Sequence, residues 1–343
     1  MAWSEKVMEI ATEKGLKSLL GDVNGKSRFA RYNIAREKVV DEILPQILRT
    51  AVDLTDHGEG HVSRVMDTAA TLIGLANVES NVELSAPELY CLMLSVLFHD
   101  VGNIFGREDH QHKVAEVYDY VFPDGQRDML ERRIVLAVTS AHCGMAMDGT
   151  KDTLKELSTS VYQLERFQKV DVCKIAAVLR FADELEEGPE RTSRFMQKQH
   201  GYKPENLIHH LYADIVTPCI DRGEKRIALT YNINIETSGS TDLTAEAENK
   251  LKELLEYTYQ RIQKLNQERK YNRFYCESIL PYKETTVFFH FMVNGIPIMF
   301  DLPGSVVLND LVLPGDKEKI FVEYDPNYKT DNVLEIIKKT LNK

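Results

Sequence analysis

Six positions in this chain carry side chains suited to divalent transition metals: His61, the adjacent pair His99 and Asp100, His110, His142 and Asp183. Neutral imidazoles and carboxylates together make a good site for such ions. In the order His, His-Asp, His, His, Asp they supply enough donors for two ions in one pocket. Two adjacent ions can clamp and hydrolyse a phosphate ester. The first expectation is therefore a metallohydrolase.

Each position also has a plainer reading. His99-Asp100 closes the run Leu89 to Phe98, which is apolar nearly all round. A lone His-Asp pair at a helix end is ordinarily a capping aspartate beside a core histidine. Burying that charge is costly unless it is paired or metal-bound. His57 and His61 are four apart and share a helix face if the helix begins before His57. Gly58 and Gly60 weaken such a helix, so the helix is expected to start near His61. His61 is then the ligand, with Val65 one turn on in the core. His57 is a supporting or catalytic group, or else a surface histidine. His110 and His112 are two apart and fall on different faces, so one is a ligand and the other is not. Asp183 shares a face with Leu179, which a ligand role explains better than a surface ion pair. His142 ends a helix before Cys143-Gly144.

The elements that must position these residues follow from periodicity. Helices are expected over Arg36–Ala51 (with a kink or break at Pro45), His61–Ala76, Glu88–Phe98, His110–Val121, Asp128–His142 and Gln168–Glu187. After about residue 200 the period changes. Arg226–Ser238 alternates as a strand, Leu207–Ile220 is a second strand candidate, and Asp221-Arg222-Gly223-Glu224 joins them in a long hairpin. Leu243–Asn272 reads as a long amphipathic helix. Thr286–Met292 and Ile296–Leu302 flank Asn294-Gly295, a strong two-residue hairpin signal. Lys319–Tyr324 reads as a strand and Asp331–Leu341 as a closing helix. The expected class is α+β: an all-helical part over residues 1–200, then a smaller mixed α+β part with β-hairpins over residues 201–343.

Bulk properties exclude some roles. At 343 residues, two domains are the natural expectation. Net charge is −11, which makes a poor non-specific binder of extended nucleic acid. A small phosphorylated substrate stays compatible, because bound ions reverse the local sign of a pocket. No apolar stretch long enough to span a membrane is expected, and the start of the chain has no signal-peptide pattern. Five scattered cysteines argue for free thiols in a reducing, cytoplasmic setting.

Taken together, Thr55-Asp56-His57-Gly58-Glu59-Gly60-His61-Val62-Ser63-Arg64-Val65, Leu97-Phe98-His99-Asp100-Val101-Gly102-Asn103 and Leu179-Arg180-Phe181-Ala182-Asp183-Glu184-Leu185 resemble the HD superfamily of metal-dependent phosphohydrolases, over roughly residues 35–195. The resemblance implies a helical fold around one or two metals. It places His61, His99, Asp100 and Asp183 in a first metal site. Members with two metals add histidines where His110 and His142 stand, and His110 fits that place better than His112. Asp100 would bridge the ions. The sequence departs from known subgroups: Asn103 stands where cyclic-dinucleotide phosphodiesterases carry Lys and deoxynucleotide triphosphohydrolases carry His, and Gly-Tyr-Pro is absent. Residues 201–343 look like the extension of some bacterial HD proteins.

The expected activity is hydrolysis of a phosphoester or phosphoanhydride bond in a nucleotide. Asp100 would position the attacking water, His57 or His112 would protonate the leaving oxygen, and Arg107 would clamp phosphate, ahead of Arg180 and Arg191. Arg180 is expected to pair with Glu184. The cofactors would be divalent ions, Mn, Fe, Co, Ni or Zn, with Mg also allowed. The alternatives are a di-iron oxygenase and a non-catalytic nucleotide sensor. Residues 201–343 would serve as a lid, a homo-oligomer interface or a partner-binding surface.

Overall fold

The computed structural model describes residues 23–50, 54–75, 84–157, 161–165, 168–199, 201–237, 243–310 and 319–341. The reading of the first six residues as lacking a signal peptide lies outside them, as do the element ends expected at Ala51, Ala76 and Ser238. The chain divides into two compact units: residues 1–186 with 271–281, and residues 187–270 with 282–343.

The first unit is built on helices. α1 (Val23–Lys38) runs into a wider π-turn, Val39–Ile43, and then α2 (Leu44–Thr50). Pro45 lacks an amide hydrogen and crowds the carbonyl four residues back, so the regular ladder gives way just before it. α3 (Glu59–Leu72) buries Val62, Val65, Met66 and Ala69 on one face. α4 (Ala86–Phe98) starts with Ser85 and Glu88, whose carboxylate accepts from the Ser85 amide at 2.9 Å. From Pro87 to Phe98 every α4 residue is buried. α5 (Val114–Val121) and α6 (Met129–Ser140) follow, α6 capped by Asp128, which accepts from the Leu130 and Glu131 amides. Buried Glu131 accepts from Arg31, from Tyr90 at 2.6 Å and from Tyr118, tying α1, α4, α5 and α6 together. α7 (Val172–Leu185) is capped by Asp171, which accepts from the Lys174 amide at 3.0 Å.

Two expectations need correction here. Gln168 to Asp171 is not helical: it forms β2 (Gln168–Asp171), antiparallel to β1 (Val161–Glu165), so a small hairpin precedes α7. The segment Ala86–Phe105 is long and apolar enough to cross a membrane. Its most apolar stretch is 89% buried inside the protein, because α4 is the core helix around which the others pack.

The second unit carries a five-stranded sheet. α8 (Arg194–Lys198) and α9 (Pro204–Ile215) lead into β3 (Val216–Asp221). Leu207 to Ile215 is therefore helix rather than strand. Proline at the first helical position favours that start, and the strand begins only at Val216. β3 pairs antiparallel with β4 (Arg226–Ile235). α10 (Ala245–Arg273) then crosses over, and β5 (Glu284–Val293) lies parallel to β4. β6 (Ile296–Ile298) and β7 (Val306–Asn309) both pair antiparallel with β5. Asn294 and Gly295 have φ of 50° and 81°, as a tight hairpin with strand-matching twist requires. Lys319–Tyr324 is not a strand: α11 (Phe321–Tyr324) is a single helical turn, with the Ile320 amide donating to Glu323 at 2.8 Å. α12 (Thr330–Leu341) closes the chain. In the core of this unit, fully buried Arg269 donates to Asp310 at 2.7 Å, to Asn266 at 2.8 Å and to the Tyr282 carbonyl at 2.8 Å. All five cysteines are free.

Candidate metal centre

The six candidate ligands all lie in the first unit, on helix ends and on the turns that follow them. His61 is on the first turn of α3, whose cap is Gly58; the Gly58 amide donates to Asp56 at 2.8 Å. His99 and Asp100 follow α4 at its carboxyl end, where the helix dipole favours positive charge. The chain then makes a 3₁₀ turn, Val101–Phe105, and a second, His110–His112. Gly102 permits their close approach, since a Cβ there would lie 1.9 Å from the His110 carbonyl oxygen. His142 follows α6, and Asp183 sits on the last turn of α7.

These side chains converge. His61 Nε2 lies 3.2 Å from Asp183 Oδ1 and 3.3 Å from His99 Nε2. His99 Nε2 is 3.6 Å from Asp183 Oδ1 and 3.4 Å from Asp100 Oδ2. The other oxygen of the same carboxylate, Asp100 Oδ1, is 3.0 Å from His110 Nε2 and 3.7 Å from His142 Nε2. Asp100 thus turns one oxygen to each of two donor sets.

Proton placement decides what these contacts are. His61 Nδ1 faces Glu186, His99 Nδ1 the Val96 carbonyl at 2.7 Å, His110 Nδ1 the Arg107 carbonyl at 3.1 Å and His142 Nδ1 the Thr139 carbonyl at 2.5 Å. Each partner only accepts, so each Nδ1 donates and each neutral ring points a bare Nε2 lone pair inward. Two such lone pairs 3.3 Å apart, with a carboxylate beside them, repel unless a cation lies between. Ligands about 2.0–2.1 Å from one ion stand roughly 3.0–3.4 Å from each other, close to the separations here. The donor set fits divalent metal.

Without a cation the cluster draws protons instead. Burial pushes the His99 imidazole down, but Asp100 and Asp183 outweigh it and hold it up at about 10. Burial pushes the Asp100 carboxyl up, yet His99, His110 and His142 hold it well below the usual carboxylate range. Asp183, only partly buried, is likewise held low by His61 and His99 against the pull of that burial. Both carboxylates demand positive charge, which metal ions supply.

Around the cluster, His57 is buried, with Nε2 3.8 Å from Asp100 Oδ2. Its Nδ1 donates to the Thr55 carbonyl at 2.5 Å, and its Nε2 accepts from Arg107 at 3.3 Å. Arg107 also donates to Asn103 Oδ1 at 3.3 Å. The Asn103 amide nitrogen is buried with no partner among the described residues. His110 is buried at the cluster, while His112 is exposed and makes no contact with it among the described residues. Arg180 lies beside the loop after His142. It is buried, and its guanidinium donates to Thr153, to the Lys151 carbonyl at 2.7 Å and to the Ala141 carbonyl at 3.4 Å, which anchors the loop after His142. Arg191 belongs to the second unit.

Sequence reading passed over two groups. Glu186 orients His61 and also accepts from Arg64. Its signal was its place one helical turn after Asp183. Cys143 Sγ lies 3.9 Å from His110 Nε2. Its signal was its adjacency to His142. Burial pushes this thiol up, but His142 and His110 bring it down to about 6.

No curated protein matches the chain. The family model HD-CE matches residues 51–264, more than half of the sequence and every residue of the cluster. The chain belongs to the HD-CE family.

Proposed function

We propose that this protein is a metal-dependent phosphohydrolase that cleaves a phosphoester or phosphoanhydride bond of a nucleotide. The observation that carries the reading is Asp100, with one carboxylate oxygen toward His61 and His99 and the other toward His110 and His142. Such sharing suits a pair of ions held side by side.

Bound divalent ions would supply electrophilic activation of phosphate and a water acidic enough to attack near neutral pH. The chain's own residues do the rest. His61, His99 and Asp183 would hold one ion and His110 and His142 the other, with Asp100 contributing to both. Arg107 is the phosphate clamp, because a guanidinium matches two phosphate oxygens. Its contact with His57 Nε2 is long, at 3.3 Å, so a substrate oxygen competes well for it. Once Arg107 turns to phosphate, the His57 Nε2 lone pair takes up a proton from solvent, and the resulting imidazolium gives that proton to the leaving oxygen, a task suited to imidazole near neutral pH. Asn103 contributes a donor next to Arg107. His112, exposed, has no part in this scheme.

The test is metal content and product analysis on one purified sample, incubated with deoxynucleoside and nucleoside triphosphates and cyclic nucleotides plus Mn²⁺, Co²⁺ or Zn²⁺ in turn, with and without oxygen. Two ions per chain and oxygen-independent release of phosphate, pyrophosphate, triphosphate or a linearised nucleotide are expected. Bound metal with no product from any nucleotide sinks the reading in favour of a sensor. Turnover that stops without oxygen sinks it in favour of an oxygenase.

A further inference from the structure

We propose that Cys143 is itself a metal ligand: its thiolate joins His110, His142 and Asp100 and makes the second position selective for zinc, iron(II) or cobalt(II) over magnesium and manganese. This rests on the reading that the second donor set holds an ion.

Three observations carry it. The ligating atoms of His110, His142 and Cys143 all lie within 4.8 Å of one another. Metal–sulfur and metal–nitrogen bonds of about 2.3 and 2.1 Å place S and N roughly 3.6 Å apart around a tetrahedral ion. Cys143 Sγ and His110 Nε2 are 3.9 Å apart, within a small side-chain adjustment of that value. Both histidines are buried, and both have Nδ1 committed to a backbone carbonyl, so their lone pairs turn inward beside the sulfur. The following residue, Gly144, has φ of 92°, a conformation that turns the chain directly after the thiol. Elsewhere the thiols have other surroundings: Cys173 donates to the Leu154 carbonyl at 3.4 Å, and Cys219 is exposed on β3.

The chemistry follows from donor softness. The first set offers only nitrogen and oxygen, which accept hard and borderline ions alike. A thiolate disfavours magnesium and manganese and favours zinc, iron and cobalt. Binding breaks the S–H bond, forms a sulfur–metal bond and releases one proton to solvent.

Cobalt(II) reads this directly. The metal-stripped full-length protein is titrated with Co²⁺ under anaerobic conditions, and both bound cobalt and the near-ultraviolet sulfur-to-cobalt charge-transfer band are measured. Wild type should bind two ions and show the band. Cys143→Ser should lose the band, and Cys173→Ser should keep it. In wild type, metal should also abolish alkylation of Cys143, mapped by mass spectrometry, which needs no variant to fold. Two bound ions without the band, or with Cys143 still alkylated, overturn the ligand assignment and leave the two-ion reading standing. A band that survives in Cys143→Ser overturns it too. No bound cobalt overturns both.

Discussion

The two donor sets are built on different kinds of backbone. His61, His99 and Asp183 stand on or directly against three regular helices, α3, α4 and α7, whose buried faces fix them. His110, His142 and Cys143 stand on a 3₁₀ turn and a loop. They are held by Gly102, by the anchoring of Ala141 and Thr153 to Arg180, and by hydrogen bonds from ring nitrogen to carbonyl. A helix positions a ligand through many packed neighbours, whereas a turn does so through a few contacts that one substitution can remove. The first set is therefore the sturdier, and the second the more easily disturbed.

The sharpest break is at the residue both sets share. Asp100→Asn removes a negative charge and turns one oxygen into a donor facing imidazole lone pairs. Both ions should be lost and turnover should fall to background, while the far-ultraviolet dichroism stays native. Two ions retained with full activity would take Asp100 out of the mechanism.

Gly102→Ala should separate the sets. The added Cβ meets the His110 carbonyl at 1.9 Å, so the 110–112 turn must shift. Overpacking of this kind costs about 1–3 kcal/mol, and one ion per chain should be lost, the other remaining on the helical set. Metal analysis checks it; loss of both ions, or of neither, would show the sets are not independent.

Glu186→Gln acts only on the helical set. It weakens the partner that orients His61, and affinity for one ion should drop by roughly 10–100-fold with the second unaffected. Competition with a chromophoric chelator measures this.

The metal-free cluster is also sensitive to pH. In the metal-free protein the His99 imidazole is held up at about 10, above its ordinary 6.5. A raised imidazole pKa stabilises the fold fully below 6.5, and that stabilisation is lost as pH rises through about 10. Melting temperature of the stripped protein should therefore fall over that window. Added Zn²⁺ should restore it most at the alkaline end, where protons no longer compete for the lone pairs. A flat melting profile without metal would contradict the charge balance drawn for the cluster.

Much of the helical unit was legible because its signals are local. The apolar run of Leu89 to Phe98 marked the core helix, Gly58 and Gly60 marked the start of α3, and Pro45 marked an irregularity. The apolar residues of Leu207 to Ile215 fit a strand as well as a helix, and Pro204 at the start of the segment is what favours the helix. Gln168 to Asp171 differs: its pairing partner lies several residues upstream, and periodicity within one segment cannot report a neighbour. The choice between His110 and His112 was open for the same cause. Two histidines two residues apart differ only in which one the turn faces inward.

Residue type and short-range spacing alone determined most helices of the first unit, the long helix α10, the Asn294-Gly295 hairpin and the histidines and aspartates able to hold metal, because caps, turns and apolar stripes act over a few residues. Only the tertiary structure decided that β4 and β5 run parallel with α10 between them. It also decided that His110, and not His112, reaches Asp100, and that Cys143 and Glu186 join the cluster. Those outcomes depend on which surfaces pack against which across more than a hundred residues of chain, as from His61 to Glu186, and that information resides in the packed core rather than in any one stretch of sequence.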